Sequence, residues 1–540
     1  MKPGPMPEIW HAGRVASGGI AIGTAFPLPG TRPDQVTSSR KTGNPATEAA
    51  ALRSAIAAAI DDIGTLISAS AGEAADVLEF QVAMLEDDSL SEPAFAAVAE
   101  GAAADLAWGA ALDAQIADYS ASDDDYFKAR TADLNDMRDR VLRHLRGEAV
   151  VTVPAGAILL GDDLTPSLFL SQDWSQGGGI ALSKGSASSH VAMLARMRRV
   201  PMVVGLSMDV DAVAAGTPII VDAEAGRIAI EPDAATRKDI EARRAQVEAA
   251  LIQAETFRLK PGRTADGVDI KILINIAGLA DLEQLDPAIC DGIGLVRTEF
   301  LFPQNGRLPN EDEQFDIYRR MVQWAQDRPV TIRTLDAGGD KPIAGLTIAE
   351  SNPFLGLRGL RLSLARPDVF KTQLRALCRA AVHGNLKIML PMVSVPRELE
   401  VSRQLLEEAV SELQAAGVPH ARPPLGIMVE VPSTALMPER FAAAFYSIGS
   451  NDLTQYTLAA ARDLDSVAGL GDAGDPAVLK LIANTAAYGR QAGLEVSLCG
   501  DAAAETRLVP MLLQTGLRVL SVAPAAVGRV KAAVAAIRLA

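Results

Sequence analysis

Charged and reactive side chains recur in the second half of the chain, at or near the ends of short apolar runs. GIGLV (292–296), VTIRTL (330–335), LGIMVEV (425–431), FYSIGS (445–450) and LEVSLC (494–499) are the runs concerned. If these runs are parallel strands, their carboxyl ends lie at one edge of the fold and their side chains converge there. The residues brought together would be Arg297, Arg333, Asp336, Glu430, Asn451, Asp452 and Cys499.

The residue types in this set suit one kind of chemistry. Glu430 and Asp452 are hard oxygen ligands of the kind that Mg²⁺ takes together with substrate oxygens. Guanidinium groups pair bidentately with carboxylate and phosphate, so several arginines could surround a substrate with several negative charges. The pattern indicates phosphoryl transfer or enolate chemistry on a small acidic phosphate, against the alternative of ordinary loop charges. The candidate arginines are Arg297, Arg333, Arg358 and Arg462.

Cys499 opens the stretch CGDAAAE at the same predicted edge. A thiol in that position could exchange a proton with a carbon centre. The alternative is that Cys499 is a small buried apolar residue.

His190, one of five histidines, stands between the small residues of GSASS and the helical run VAMLARMRR. Helix N-termini carry unpaired N–H groups that suit a phosphate, and a neutral imidazole is a competent nucleophile. Hydroxyls of Ser188 or Ser189 could bind a phosphorylated histidine. The alternative is a capping or core histidine. The chain contains no P-loop or glycine-rich kinase loop, so the phosphate donor would be the ligand of the arginine-rich site.

The elements that must position these residues follow from the spacing of apolar runs. Eight runs separated by helical patterns predict a parallel (β/α)₈ barrel in the last half of the chain. The runs are 270–276, 292–296, 330–335, 387–392, 425–431, 445–450, 494–499 and 517–522.

The first half of the chain has a different pattern of apolar residues. A short β segment (14–26) precedes Ala-rich helical patterns from 45 to 147, interpreted as about four long helices with acidic faces at Asp61–Asp62, Glu86–Asp87–Asp88 and Asp123–Asp124–Asp125. Short β runs return over 148–232, and 233–257 reads as a polar connecting helix. The predicted domains are an α/β domain (1–30 and 148–232), an inserted helical bundle (31–147), a linker helix (233–262) and the barrel (263–540).

The composition indicates which classes of binding partner and which cellular compartment to expect. The net charge of −16 disfavours nucleic acid, which is bound by clustered Lys and Arg, and favours a basic protein partner. The N-terminal stretch lacks a signal-peptide core, and no apolar run is long enough to cross a bilayer. The three cysteines have no zinc spacing and are too few for a disulfide framework, so we expect a cytoplasmic protein without membrane insertion.

Seven stretches together resemble the Enzyme I family of the phosphoenolpyruvate-dependent sugar phosphotransferase system, within the PEP-utilising enzymes. They occur in family order and are SSHVAMLAR, DGIGLVRTEFLF, RTLDAGGDKP, NPFLGLRGLR, GIMVEVPS, YSIGSNDLTQYTLAAAR and CGDAAAE. The chain departs from the usual pattern at Ser186, Ser188, Ser450, Ala461 and Asp501, the last of which stands where the family usually has Glu.

The resemblance implies a role for each matching residue. His190 takes the phosphoryl group of phosphoenolpyruvate and passes it to a histidine of the small carrier HPr, and Cys499 protonates the enolpyruvate carbon. Glu430 and Asp452 hold Mg²⁺. The residues implied to bind phosphoenolpyruvate are Arg297, Arg333, Arg358, Asn451 and Arg462. The helical bundle becomes the HPr-docking domain, the α/β domain swivels between barrel and carrier, and the barrel mediates a homodimer.

Two other interpretations stay open at this stage. A phosphoenolpyruvate synthase or pyruvate phosphate dikinase shares the swivelling histidine and the barrel, although we expect no room here for their nucleotide-binding domain. A regulatory protein could sense phosphoenolpyruvate without turnover, but the intact set of His190, Glu430, Asp452 and Cys499 disfavours it. The short leader favours the sugar branch over the nitrogen-related branch.

Overall fold

The structure is a computed structural model, and it forms two compact units, Met1–Val247 and Glu248–Ala540. The residues that it describes are 10–28, 44–68, 73–121, 125–148, 153–186, 189–283, 285–302, 307–339, 341–348, 350–461, 464, 467 and 469–539.

An eight-stranded sheet organises the first unit, in the order β1-β8-β7-β3-β4-β5-β6-β2. β3 to β6 form a parallel block, and the other pairings are antiparallel. ILLG and GIAL, the sequences of β4 and β5, are buried throughout, as is typical of central parallel strands covered on both faces. The strands are β1 (Trp10–Ala12), β2 (Arg14–Ser17), β3 (Ile20–Pro27), β4 (Ile158–Gly161), β5 (Gly179–Leu182), β6 (Met202–Val204), β7 (Pro218–Asp222) and β8 (Arg227–Ile230).

A helical insertion between β3 and β4 contains five helices in its described part, where the sequence pattern predicted about four. Asp87 explains the difference, because its side chain accepts a hydrogen bond from the backbone N–H of Ser89 and so caps a new helix directly after Glu86. The insertion packs around fully buried Trp108. The helices are α1 (Pro45–Ser68), α2 (Glu73–Glu86), α3 (Asp88–Ala99), α4 (Ala104–Ala121) and α5 (Asp125–Arg146).

Two acidic side chains of the insertion have structural roles. Asp62 on α1 accepts from His144 at 2.9 Å and from Arg143 at 3.3 Å, both on α5, so its charge is compensated within the bundle. Asp87 is the helix cap just described. Asp61, Glu86 and Asp88 are exposed, while Asp123 and Asp124 lie outside the described residues. The acidic faces therefore offer fewer uncommitted charges than the sequence suggests.

Three further helices follow in the first unit and at its end: α6 (Pro166–Leu170), α7 (His190–Arg198) and α8 (Ala234–Phe257). α8 is largely exposed, with only Ile240 buried, as expected of the polar connecting helix.

The second unit is a closed barrel of eight parallel strands, in the order β10-β11-β12-β13-β14-β15-β16-β9. This confirms the predicted (β/α)₈ fold, and each of the eight predicted runs overlaps one strand. The strands are β9 (Lys271–Ile276), β10 (Ile293–Arg297), β11 (Val330–Arg333), β12 (Leu386–Leu390), β13 (Leu425–Val429), β14 (Tyr446–Ile448), β15 (Val496–Leu498) and β16 (Val519–Val522). The helices are α9 (Glu311–Ala325), α10 (Leu360–Ala365), α11 (Pro367–Ala380), α12 (Pro396–Ala415), α13 (Pro432–Leu436), α14 (Ser450–Leu458), α15 (Pro476–Ala492), α16 (Val509–Gln514) and α17 (Val527–Ala535).

Side chains of the barrel strands alternate between two cores, as the period of a strand requires. Outward residues such as Ile427 and Ile448 pack against the surrounding helices. Inward residues form a separate apolar layer of Leu295, Met389, Met428, Phe445 and Cys499. Within the part of the chain that the structure describes, no helix is long and apolar enough to cross a bilayer.

A buried lysine ties the segment after α8 to the barrel. Lys531 on α17 donates to the carbonyl of Ile289 at 2.6 Å and to that of Arg258 at 2.9 Å, and only 3% of it is exposed. Burial lowers the pKa of this ammonium group. The hydrogen bonds to the two carbonyls offset part of the free-energy cost of burying the ammonium group.

We expect Lys531→Ala to destabilise the barrel unit by about 1–3 kcal/mol, because two buried carbonyls lose their donor. Hydrogen exchange of peptides from 263–540 in the full chain measures the change. Arg529→Ala, two residues away at an exposed position of the same helix, is the control. Equal exchange in the two variants would contradict the anchoring role.

Candidate active site

A cavity of about 620 Å³ opens at the carboxyl ends of the barrel strands. Arg297 and Arg333 end β10 and β11, Glu430 directly follows β13, and Cys499 directly follows β15. Asn451 and Asp452 lie in the first turn of α14. The structure thus brings six of the predicted site residues to one cavity: Arg297, Arg333, Glu430, Asn451, Asp452 and Cys499.

Four predicted residues are placed differently. Arg358 and Asp336 are fully buried and are not among the lining residues. Arg462 lies outside the described residues. His190 belongs to the first unit, where it is the first residue of α7 and is described by its backbone alone.

The helix that begins at His190 is capped by the serine that precedes it. Ser189 is the N-cap residue, and its hydroxyl oxygen accepts from the backbone N–H of Ala192 at 3.2 Å. One N–H of the first turn is therefore already satisfied, while the Ser189 hydroxyl keeps its own hydrogen to donate. Ser188, the other predicted hydroxyl, lies outside the described residues.

Arg333 is held by two carboxylates inside the barrel mouth. Its guanidinium contacts Glu299 at 2.5 Å and Asp336 at 3.0 Å. Burial opposes its charge, but the two carboxylates outweigh burial and raise the pKa of Arg333 above its usual range. Arg333 is therefore cationic and fixed in direction before any ligand binds.

Lys341 is a cavity residue to which the sequence pattern assigned no role. Its ammonium group contacts Glu299 at 3.0 Å and Asp336 at 2.9 Å, the same two carboxylates that hold Arg333. Lys341 and Glu299 both lie in stretches that carry the family resemblance, RTLDAGGDKP and RTEF, and that was the available signal. They follow strand ends by a few residues, in loops whose path the pattern does not set.

Arg358 supports Asp452 from behind the cavity. Its two terminal nitrogens donate to the two oxygens of Asp452 at 2.9 and 3.1 Å, a bidentate pair. The same guanidinium contacts Asp336 at 3.3 Å. This arrangement fixes the direction of the Asp452 carboxylate, and a substrate contact by Arg358 remains a prediction.

Glu430 and Asp452 fit a divalent cation by their chemistry. Glu430 is 1% exposed, and burial together with the nearby charges of Asp452 and Asp336 raises its pKa to about 7. A bound hard cation reduces the repulsion between neighbouring carboxylates of this kind. Among the described residues no group of three or more His, Cys, Asp or Glu is placed to hold a metal, so the chain would supply two ligands and leave the rest to substrate and water, as Mg²⁺ prefers.

Asn451 is oriented by its neighbour across the cavity rim. Its side-chain N–H donates to Asp501 at 2.8 Å, and the backbone N–H of Asp501 donates back to the Asn451 side-chain oxygen at 2.8 Å. These two hydrogen bonds fix which side of the Asn451 carboxamide carries the oxygen and which carries the nitrogen. The second N–H of the side-chain nitrogen takes part in neither bond.

Cys499 is buried in the apolar inward layer, with Sγ close to the charged half of the cavity. Burial raises the pKa of its thiol to about 11, although the Ser447 hydroxyl and Arg333 act in the opposite direction. At neutral pH the side chain is therefore a thiol, the state that can donate a proton.

Comparison with known proteins covers almost the whole chain. The family descriptions "PEP-utilising enzyme, N-terminal", "PEP-utilising enzyme, mobile domain" and "PEP-utilising enzyme, PEP-binding domain" match residues 12–130, 153–226 and 252–539. The phosphoenolpyruvate-protein phosphotransferase of Haloferax volcanii is 41% identical over 75% of this chain and 72% of its own length. That of Geobacillus stearothermophilus is 35% identical over 94% of this chain and 89% of its own. A solution NMR structure of Enzyme I (nEIt) is 27% identical, with a TM-score of 0.36, over 44% of this chain and 99% of that one.

We expect Asp452→Asn to weaken binding of Mn²⁺, a spectroscopic substitute for Mg²⁺, by about tenfold or more, because one of two carboxylate ligands loses its charge. Electron paramagnetic resonance of free Mn²⁺ measures the affinity. Asp472→Asn removes an exposed carboxylate that pairs with Arg507 and serves as the control. Unchanged Mn²⁺ affinity in Asp452→Asn would exclude Asp452 as a ligand.

Proposed function

The chain belongs to the PEP-utilising enzyme family, and on that premise we propose that it is a phosphoenolpyruvate–protein phosphotransferase. It transfers the phosphoryl group of phosphoenolpyruvate to His190 and then to a histidine of an HPr-like carrier, releasing pyruvate, in the first step of sugar uptake. One observation carries the proposal. A single cavity at the barrel mouth joins two arginines, two candidate metal ligands and a protonated thiol, within the segment that matches the PEP-binding domain.

The charged half of the cavity binds and orients the substrate. Arg297 and Arg333 pair with its carboxylate and phosphate oxygens, and Asn451 donates its uncommitted N–H. Arg462, placed here by resemblance, adds a further cation. Glu430 and Asp452 would hold Mg²⁺, which would supply positive charge to the substrate oxygens.

The formal charges of the described side chains support a cation in the site. At and behind the cavity, four cationic groups (Arg297, Arg333, Lys341 and Arg358) accompany five carboxyl groups (Glu299, Asp336, Glu430, Asp452 and Asp501), of which Glu430 has a pKa of about 7. These side chains have no excess of positive charge for a substrate with several negative charges. A divalent cation at Glu430 and Asp452 would make the net charge of the site positive.

The phosphoryl group is transferred in line from the enol oxygen of the substrate to an imidazole nitrogen of His190. An imidazole nitrogen of His190 attacks the phosphorus, the P–O bond to the enol oxygen breaks, and that oxygen keeps the bonding electrons. Arg333 is already fixed by Glu299 and Asp336, so stabilising the growing charge requires little reorganisation. The phosphorylated His190 then passes the group to the carrier histidine.

Cys499 completes the reaction by protonating the enolate. Its thiol proton moves to the methylene carbon, the carbonyl of pyruvate re-forms, and the sulfur regains a proton from solvent through the cavity mouth. The role requires a reduced thiol. The three cysteines are free, which agrees with a reducing cytoplasm as the proposed compartment.

Carrier docking is assigned to the helical insertion. Its exposed acids Asp61, Glu86 and Asp88 offer charge complementarity to a basic partner. Asp62 contributes less, because Arg140, Arg143 and His144 of α5 already contact it. We place the docking surface on the α2–α3 junction rather than on the α5 face.

The barrel carries a rim of exposed apolar side chains, and we propose that a second copy of the barrel binds there. Large apolar side chains are exposed in the segments that follow β10, β11, β12 and β13, after the carboxyl ends of consecutive strands. They are Phe300, Ile348, Leu355, Val395, Leu436 and Met437. Clustered exposed apolar residues mark an interaction surface, and a homodimer would cover them.

The experiment that tests the function uses phosphoenolpyruvate labelled in its phosphate, with Mg²⁺, the full chain and candidate HPr-like carriers, in the absence of ATP. We expect acid-labile label on His190 that passes to one carrier, and His190→Ala should abolish it. His144→Ala, which removes a histidine of the helical insertion, is the control and should retain labelling.

Labelling of the carrier by His190→Ala would overturn the assignment of the nucleophile. A requirement for ATP would favour a dikinase-type reaction instead. Binding of phosphoenolpyruvate without any label on the chain would favour a sensor.

We expect Leu436→Glu to weaken the dimer by about tenfold or more in analytical ultracentrifugation, because association would bury an unpaired charge. Ile252→Glu changes a similarly exposed apolar residue on α8, away from the barrel loops, and should leave the dimer intact. A monomer in the unmodified chain, or equal dimer affinity in both variants, would contradict the rim assignment.

A further inference from the structure

Met392 has a backbone conformation that is unusual for its residue type. It comes two residues after the end of β12, in the stretch LPMVSV, and its φ is +55°, in the left-handed region. Glycine adopts that region without cost, whereas the Cβ of any other residue makes it unfavourable. A methionine side chain forms no local hydrogen bond that would offset the cost. Strained residues of this kind are concentrated at functional sites, so the groups around Met392 are relevant to the barrel mouth.

The backbone N–H of Met392 donates to a carboxylate of the candidate metal site. The nitrogen lies 2.6 Å from Oε1 of Glu430, and the two residues are 2% and 1% exposed. A hydrogen bond to an ionised carboxylate is roughly twice as strong as a bond between neutral groups. This one joins the segment after β12 to the residue directly after β13, so it fixes the Glu430 side chain against the end of the neighbouring strand.

The second oxygen of Glu430 lies beside a residue that lines the cavity. A Cβ added to Gly449 would come within 2.9 Å of Oε2 and within 3.1 Å of the Glu430 Cβ, so the glycine makes room for the carboxylate. Glu430 therefore has one oxygen bound by the chain and the other next to the cavity. Carboxylates that hold a metal are commonly hydrogen-bonded by a second group, which fixes their orientation.

The segment that follows Met392 is held by side chains of two helices. The carbonyl of Val393 accepts from the Thr434 hydroxyl of α13 at 2.6 Å, and the N–H of Ser394 donates to Glu398 of α12 at 2.7 Å. A strained backbone conformation persists only where the surrounding structure overdetermines it, and these contacts meet that condition. The direction of the Met392 N–H is therefore set by the fold itself.

The Met392 side chain packs against the segment that orients the other candidate ligand. A Cβ added to Gly359, whose φ is +59°, would lie 3.0 Å from Cγ and 3.1 Å from Cβ of Met392, so the two residues meet closely. Gly359 directly follows Arg358, which holds Asp452 in the bidentate pair. One packing contact thus joins the supports of Glu430 and Asp452. It also gives a reason for a methionine at a position where glycine would suit the backbone.

We propose that Met392 is a positioning residue whose backbone N–H, aimed by its left-handed conformation, holds Oε1 of Glu430 and leaves Oε2 as the oxygen that binds the divalent cation. The inference deepens the proposed function, because it rests on Glu430 as a ligand of the metal. Without the N–H the carboxylate would be free to turn, and the conformational entropy lost on ordering it would reduce the affinity for the cation.

The test removes the N–H and keeps the side chain. The α-hydroxy analogue of methionine, incorporated at position 392 of the full chain by nonsense suppression, replaces the N–H by an ester oxygen. The matched control is the α-hydroxy analogue of leucine at position 494, because the N–H of Leu494 donates to the Gly489 carbonyl at 2.8 Å just after α15, at the amino end of β15. Met392→Gly is the complementary variant, since it keeps the N–H and suits the backbone but loses the buried side chain.

Electron paramagnetic resonance of free Mn²⁺ measures the affinity, and thermal melting measures stability. The ester at Met392 should bind Mn²⁺ about tenfold more weakly, because a hydrogen bond to a charged group is lost. The ester at Leu494 should melt at a lower temperature and bind Mn²⁺ as the unmodified chain does. Met392→Gly should also melt lower, since a buried side chain is removed, but its loss of Mn²⁺ affinity should be smaller than that of the Met392 ester.

A second readout follows labelling of His190 by phosphoenolpyruvate as the Mg²⁺ concentration is raised. The Met392 ester should need about tenfold more Mg²⁺ for half-maximal labelling and should approach the normal rate at saturation, because binding of the metal is weakened.

Equal Mn²⁺ affinity in the Met392 ester and the unmodified chain would overturn the inference, and so would an equal loss in the Leu494 ester or in Met392→Gly. Failure of the unmodified chain to bind Mn²⁺ would overturn it together with the metal site. If the unmodified chain binds Mn²⁺ but takes no label from phosphoenolpyruvate, the proposed function fails, and the Mn²⁺ affinities still decide whether the Met392 N–H positions Glu430.

Discussion

One buried carboxylate organises the mouth of the barrel. Asp336 is fully buried, and it contacts Lys341 at 2.9 Å, Arg333 at 3.0 Å and Arg358 at 3.3 Å. Burial opposes its charge, but the three cations prevail and hold the pKa of Asp336 far below its usual value. Loss of a partner from such a buried ion pair typically costs about 3–5 kcal/mol, because an uncompensated charge remains. Asp336 helps to set the directions of Arg333 and Lys341, which Glu299 also contacts, and through Arg358 that of Asp452.

The network divides the cavity into two environments with different chemistry. On the charged side, cations and carboxylates are fixed in advance, which suits the movement of a phosphoryl group. On the other side, Cys499 lies among methionine, leucine and phenylalanine, and burial raises the pKa of its thiol, so the side chain keeps its proton at neutral pH. A phosphate ester that leaves an enolate needs both environments within one cavity.

The predictable part of the site came from a rule of barrel topology. Arg297, Glu430 and Cys499 were found because they end strands, and parallel strands bring their ends together. Lys341 and Glu299 were missed, since each lies in a loop whose path depends on packing. The bidentate pair of Arg358 with Asp452 was also not foreseen, and the predicted substrate contact of Arg358 stays a prediction. The division between α2 and α3 was also missed, because a single side-chain cap at Asp87 ended a continuous helical pattern.

The sequence by itself determined the barrel, the order of its strands and the residue types at their ends, because strand periodicity and apolar runs are local properties that survive any packing detail. Tertiary structure alone decided which charges neutralise one another and which remain for a ligand. Asp62, Asp87 and Arg358 look available in the sequence, and partners far along the chain or a local cap engage them. Ion pairing and hydrogen bonding depend on distances of a few ångströms between segments up to about a hundred residues apart, and no local pattern records such distances.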